Sequence, residues 1–273
     1  MDTTRKTLRD SAAMRWFMLL LLSALMFATY WFQDFYGGLK GLMTSELGFT
    51  SEQFGRIIGL TTIANMFGMI IVGGIILDKW GIRIAGILFG GLAALGGIIS
   101  AMATAGIFGD ESSAKLTWMI VGRVLFGSGL EVTCVVATRS IVKWFKGYEM
   151  ALAMAINVGF GRLGSALGIA ISPDIAMGHV SAAVTLAATL IVIALIVFII
   201  YSFFDIKLDR QRAHSVEKGG EDDEFRFSDL VKLATNPSFI YIALLCVTFY
   251  AAVFPFIQYA ADMLVNKFGF MYE

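Results

Sequence analysis

Long apolar stretches, each broken by a short polar step, run from one end of the chain to the other. Read by length and hydropathy, they predict seven membrane-crossing helices. The first covers Ala13 to Leu47, an apolar half followed by a Gly-rich half. The second covers Ser51 to Lys79, the third Ile82 to Phe108 and the fourth Lys115 to Phe145. The fifth covers Tyr148 to Ile175 and the sixth Val180 to Ile206. A charged stretch from Lys207 follows, and a seventh span starts near Pro237. Within that stretch, Glu217 to Glu224 reads as a flexible linker, and Phe225 to Leu233 as a short amphipathic helix on the membrane surface.

The seventh span resembles the first. Leu42 to Phe49 and Met263 to Phe270 align at one constant offset, each closing an aromatic-rich apolar segment with a polar step and Gly-Phe. Six spans, a linker and a restart form the pattern of two parallel six-helix halves. The expected organisation is therefore a six-helix bundle over 1–206, a linker over 207–236, and the first helix of a second bundle over 237–273. The stop at Glu273 reads as a truncation, leaving either the C-terminal half or a partner subunit to complete the molecule.

Composition agrees. The chain is 58% hydrophobic and only 15% charged, with mean hydropathy +0.76, against about 45–50% and 25% in an ordinary soluble domain. Net charge is zero, so nothing suggests nucleic acid. The partners expected instead are the lipid bilayer and a small solute. Basic residues set the orientation: the N-terminal tail, Lys79, Arg83, Lys143, Lys146 and those after Lys207 fall on one side, which the positive-inside rule makes cytoplasmic. The first apolar run follows Arg5, Lys6, Arg9 and Arg15 as a signal peptide would, but its length and the spans after it mark it as retained. With no organelle signal visible, a bacterial inner membrane is the expected location.

Charge inside such spans is costly, roughly 2.5–3.5 kcal/mol per residue on insertion scales. Glu131 and Arg162 therefore stand out. Glu131 lies about 12 residues before Lys143, or 18 Å of helix, and Arg162 about 16 residues after Lys146, or 24 Å. On antiparallel helices both fall near the midplane. An acceptor and a bidentate donor at matched depth suit the ammonium and carboxylate of a zwitterion; the structural alternative is an ion pair joining the two helices. Asp34, with Tyr30, Gln33 and Tyr36 nearby, sits in the outer half of the first span. It is a candidate to line a vestibule or carry a coupling proton, with a mere helix-end acid as the alternative. Arg139 is placed to pair with Asp78.

Other signals are weaker. Gly159-Phe160-Gly161-Arg162-Leu163-Gly164 spells a dinucleotide fingerprint, but inside a membrane-length helix it reads as small-residue packing. Cys134 and Cys246 lie in apolar spans without metal-ligand spacing, and His179 and His214 stand apart, so neither a metal, a cofactor nor a catalytic triad is expected. The chain does not read as an enzyme.

Two motifs carry a family resemblance. Gly74-Ile75-Ile76-Leu77-Asp78-Lys79-Trp80-Gly81-Ile82-Arg83 resembles the signature loop of the major facilitator superfamily, in which Gly74, Asp78, Lys79, Gly81 and Arg83 would form a conformational-switch turn. Gly122-Arg123-Val124-Leu125-Phe126-Gly127-Ser128-Gly129 matches its helix-four pattern, where Gly127 and Gly129 would allow close packing and Arg123 would hold a buried network or assist proton movement. Glu131, Trp144-Phe145-Lys146-Gly147 and Arg162-Leu163-Gly164-Ser165 resemble the branch that contains the lysosomal dipeptide transporter of animals. That resemblance implies an all-α carrier working by alternating access on a dipeptide or amino-acid-like zwitterion, with Glu131 and Arg162 at the substrate; Asp34 and Tyr30 join them as substrate-binding candidates by their place in the first span. A carboxylated anion held by Arg162, or a non-transporting fragment, is the alternative. The first helix departs from the branch, reading Gln33-Asp34-Phe35-Tyr36 without its proline.

Overall fold

A computed structural model describes residues 7–213, 232 and 235–269. The Glu217–Glu224 linker, the Phe225–Leu233 surface helix apart from Lys232, His214 and Phe270 lie outside the described residues. The described chain is helical: α1 Ala12–Asp34, α2 Tyr36–Leu47, α3 Ser51–Gly59, α4 Ile63–Met66, α5 Met69–Thr104, α6 Ser112–Phe145, α7 Met150–Ala176, α8 Val180–Ala213 and α9 Pro237–Phe268. Among the described residues, six stretches are long and apolar enough to cross a membrane, with α1 and α2 together forming one of them. The seventh crossing is the broken one, α3 and α4 continuing into the first part of α5. The six crossings before α9 form one bundle, and α9 starts the next.

Several boundaries differ from the sequence reading. The third span ends at Thr104 rather than Phe108, the fourth begins at Ser112, and the sixth continues past Ile206 to Ala213. The first span is interrupted at Phe35. Just beyond, Gly38 packs against the Ile169 carbonyl and the Pro173 ring of α7, where a Cβ would overlap the carbonyl oxygen. Pro173 has no N–H for the carbonyl one turn back, so Ile169 presents that oxygen to its neighbour.

The second span is the larger departure. Between α3 and α5 the chain passes through a 3₁₀ turn at Leu60–Thr62, non-helical Thr62 and Phe67, and left-handed Gly68 at φ 94°. Irregular backbone at membrane depth survives where side chains and neighbouring helices satisfy it. Here Asn65 Nδ2 donates to the Gly127 carbonyl at 3.0 Å, and Arg123 Nε donates to Thr61 Oγ1 at 2.9 Å. A Cβ on Gly127 would collide with the Thr61 carbonyl, and one on Gly129 with the Phe89 carbonyl and Ala93. The helix-four glycines are thus what lets α6 lie against the broken second crossing and against α5.

Within α5 the chain reverses at Gly81, φ 79° and ψ 173°, a region open essentially only to glycine. This is the turn between the second and third crossings. The repeat seen in sequence also appears in backbone form: α2 ends on Gly48 at φ 69°, ψ 23°, and α9 on Gly269 at φ 70°, ψ 22°.

Charge clusters tie the bundle together on the side bearing the N-terminus. Asp205, 1% exposed, takes Lys143 at 2.8 Å and Arg83 at 3.3 Å, while Asp209 takes the same two cations at 2.7 and 2.9 Å. Nearby, Arg15 pairs with Glu149 at 3.4 Å, and Tyr148 Oη donates to Asp10 at 2.7 Å. On the far side, Glu46 accepts from the Val180 backbone and contacts His179 at 3.2 Å, closing α2 onto the start of α8.

Candidate functional site

Glu131 and Arg162 open onto the same cavity, of about 390 Å³. α6 brings the carboxylate and α7 the guanidinium; Tyr30 of α1 completes that wall, its ring 5.7 Å from the Arg162 guanidinium. At that distance the ring attracts the guanidinium through a cation–π contact and uses none of its N–H donors. The facing wall belongs to α9: Cys246, Val247, Tyr250 and Phe254, the two rings stacked at 5.1 Å. No ion pair within 4.0 Å joins Glu131 to Arg162, and neither makes a side-chain hydrogen bond to another described residue. Two opposite charges line one space without neutralising each other. That geometry accepts a ligand carrying both a cation and an anion.

The other sequence-predicted residues sit elsewhere. Asp34 is 1% exposed and is not among the cavity residues. Its carboxylate accepts from Ser165 Oγ of α7 and, at 2.8 Å, from Gln258 Nε2 of α9. Arg123 is fully buried, surrounded by Phe32, Tyr36 and Phe126. It donates to Thr61 Oγ1, to the Phe32 carbonyl at 2.8 Å and to the Gln33 carbonyl at 3.1 Å. It pins α1 to α6 and the broken second crossing. In the signature turn Asp78 pairs with Arg139, as the spacing predicts, Arg83 joins the Asp205–Asp209 cluster and Lys79 is exposed. A Cβ on Gly74 would meet nothing within 4 Å, whereas Gly81 is required by its backbone angles.

Sequence reasoning missed the α9 wall and Gln258. An amide inside an apolar span was a visible signal for Gln258, because a polar group at that depth needs a partner. Nothing local distinguished Cys246, Val247, Tyr250 and Phe254 from lipid-facing neighbours.

The model of the Major Facilitator Superfamily matches residues 19–272. The chain belongs to that superfamily. Among curated proteins it is similar to the lysosomal dipeptide transporter of Danio rerio, 26% identical across 93% of this chain and 55% of that protein. The corresponding protein of Homo sapiens is 27% identical over 94% of the chain and 56% of its own length. That of Gallus gallus is 30% identical over 60% of the chain and 39% of its own length. The chain thus spans about half the length, or less, of the curated relatives it matches. As a superfamily member it is a multi-pass integral membrane protein of the transporter class, and the cavity at Glu131 and Arg162 is its candidate small-solute site.

Proposed function

We propose that this chain supplies the first-half binding surface of a carrier that moves a small zwitterion, a dipeptide or an amino-acid-like solute, by alternating access. Glu131 accepts hydrogen bonds from the ammonium. Arg162 holds the carboxylate through two parallel N–H···O bonds, beside the Tyr30 ring. The observation that carries this reading is that the two charges line one cavity and do not pair with each other. The printed name of the relatives supports a dipeptide over other zwitterions. In this reading the role of both side chains is binding and release.

The N-terminus is cytoplasmic in this proposal, because Lys79, Arg83, Lys143 and Lys146 fall on its side of the membrane. The relatives carry "lysosomal" in their name, and fluorescence localisation of the native protein distinguishes that compartment from the plasma membrane.

The test is dipeptide uptake into vesicles containing the full protein, with Glu131→Gln and Arg162→Ala. Each variant is expected to raise the KM by about tenfold or more, the value of a lost charge-assisted bond. Unchanged transport in both sinks the site assignment. If Arg162→Ala fails, Glu131→Gln is unaffected and an N-acetylated dipeptide is still carried, the substrate is a carboxylated anion instead.

A further inference from the structure

α9 touches the first bundle in a restricted zone. The helix buries one side chain among the described residues, Gln258, and that side chain reaches Asp34. One turn outward, Lys40 pairs with Asp262 at 2.6 Å and lies 5.1 Å over the Tyr259 ring, which in turn meets Phe54 edge-on. Gly37 faces the Gln258 backbone, where a Cβ would stand 3.4 Å from its carbonyl oxygen. Gly37 and Gln258 are related by the same offset that relates Gly48 to Gly269. The helices therefore cross at equivalent positions, as two repeats do beside the pseudo-two-fold axis between halves. All these contacts lie on the outer side of the cavity, while Pro237 to Tyr250 on the cytoplasmic half of α9 is almost wholly exposed.

Asp34 has a second holder. Ser165, which donates to its other oxygen, is one turn along α7 from Arg162. One carboxylate thus joins the helix that carries Arg162 to the helix that closes the outer side. We propose that Asp34 is the joint between them: filling the cavity at Arg162 moves α7, Ser165 changes its hold on Asp34, and the Asp34–Gln258 bond makes or breaks with the outer seal. The contact differs between the two states, which any such coupling requires. In the closed state both acceptor oxygens are satisfied away from water. As α9 swings out, water replaces Gln258 at the carboxylate, so opening leaves no buried charge stranded. Asp34 is a positioning residue here and does not touch the solute.

The experiment uses the full protein in liposomes with its own cysteines kept, and oxime-linked spin labels on p-acetylphenylalanine introduced at Ser45 and Asn266. Both label positions are exposed at the outer ends of α2 and α9. Distance distributions are measured with and without a dipeptide, alongside direct dipeptide binding. Gln258→Ala and Asp34→Ala are expected to shift the closed-to-open ratio by about tenfold or more toward open, as the loss of a hydrogen bond to a charged group implies. Binding at Glu131 and Arg162 should persist. Ser165→Ala is expected to bind the dipeptide while its outer distances cease to follow it. A substrate-dependent shift that survives in Ser165→Ala, or an unshifted ratio in Gln258→Ala, overturns the proposal. Loss of binding in Asp34→Ala with Gln258→Ala normal makes Asp34 a solute ligand and also overturns it. The inference rests on the zwitterion reading only for the choice of ligand. If the parent binds no dipeptide, that reading fails, while the ligand-free ratios still decide the seal.

Discussion

At the scale of single residues, the spans hold ionisable groups in three environments. Glu131 and Arg162 face a cavity, Asp34 sits in a seam between helices, and Arg123 is enclosed by aromatic rings and carbonyls. Arg123→Met is expected to destabilise the protein by roughly 2–4 kcal/mol, because three acceptors on two segments lose a charged donor at once. Arg123→Lys should restore little, since an ammonium cannot span the fork geometry that reaches Thr61, Phe32 and Gln33 together. Thermal unfolding in detergent reads both. Asp205→Asn removes a buried carboxylate while Asp209 still holds Arg83 and Lys143, so a loss of roughly 1.5–3 kcal/mol is expected from the weakened charge-assisted bonds. The same melting assay measures it.

At the scale of helices, glycine placement decides which segments approach. Gly127→Val would drive a branched side chain into the Thr61 carbonyl; a loss of about 1–3 kcal/mol from overpacking is expected, read as a fall in Tm. Gly81→Ala tests something different, since space is open there and only the backbone angles are at stake. It should cost about 1–3 kcal/mol and leave the packing of α6 intact. The number and order of crossings were legible in the hydropathy pattern. The break from Leu60 to Gly68 was not. Leu, Thr, Ile, Ala and Phe are ordinary helix residues, and the irregular backbone is stabilised by Asn65 and Arg123 bonds to a helix about 60 residues away in sequence.

At the scale of the whole molecule, the two faces of the bundle are fastened differently. The face bearing the N-terminus carries charge clusters confined to the first bundle, and the opposite face carries the contacts to α9. The N-terminal segment is clasped by Asp10, which accepts from the Thr7 backbone N–H at 2.7 Å, the Thr7 hydroxyl at 3.0 Å and Tyr148 Oη. The Thr7 N–H, followed by the Tyr148 hydroxyl, holds the Asp10 carboxyl below its ordinary value. A lowered folded value means that the clasp contributes fully above the unfolded carboxyl pKa and is lost as pH falls through the folded one. The Tm difference between the parent and Asp10→Asn should therefore be present at neutral pH and vanish in that acidic window. A difference that persists below it would mean the clasp does not depend on ionised Asp10.

Long apolar runs and two glycine motifs determined the crossings and the superfamily, because each is a local property of composition or spacing. Depth arithmetic alone placed Glu131 and Arg162 at one level, since helical rise is constant. Which groups would meet was a different matter. That the two charges stay apart around one cavity, that Asp34 turns from that cavity into the seam with Gln258, and that α9 supplies an apolar wall all depend on helix rotation and crossing. Those are set by packing between segments distant in sequence, where glycine gaps, Pro173 and the broken second crossing act together.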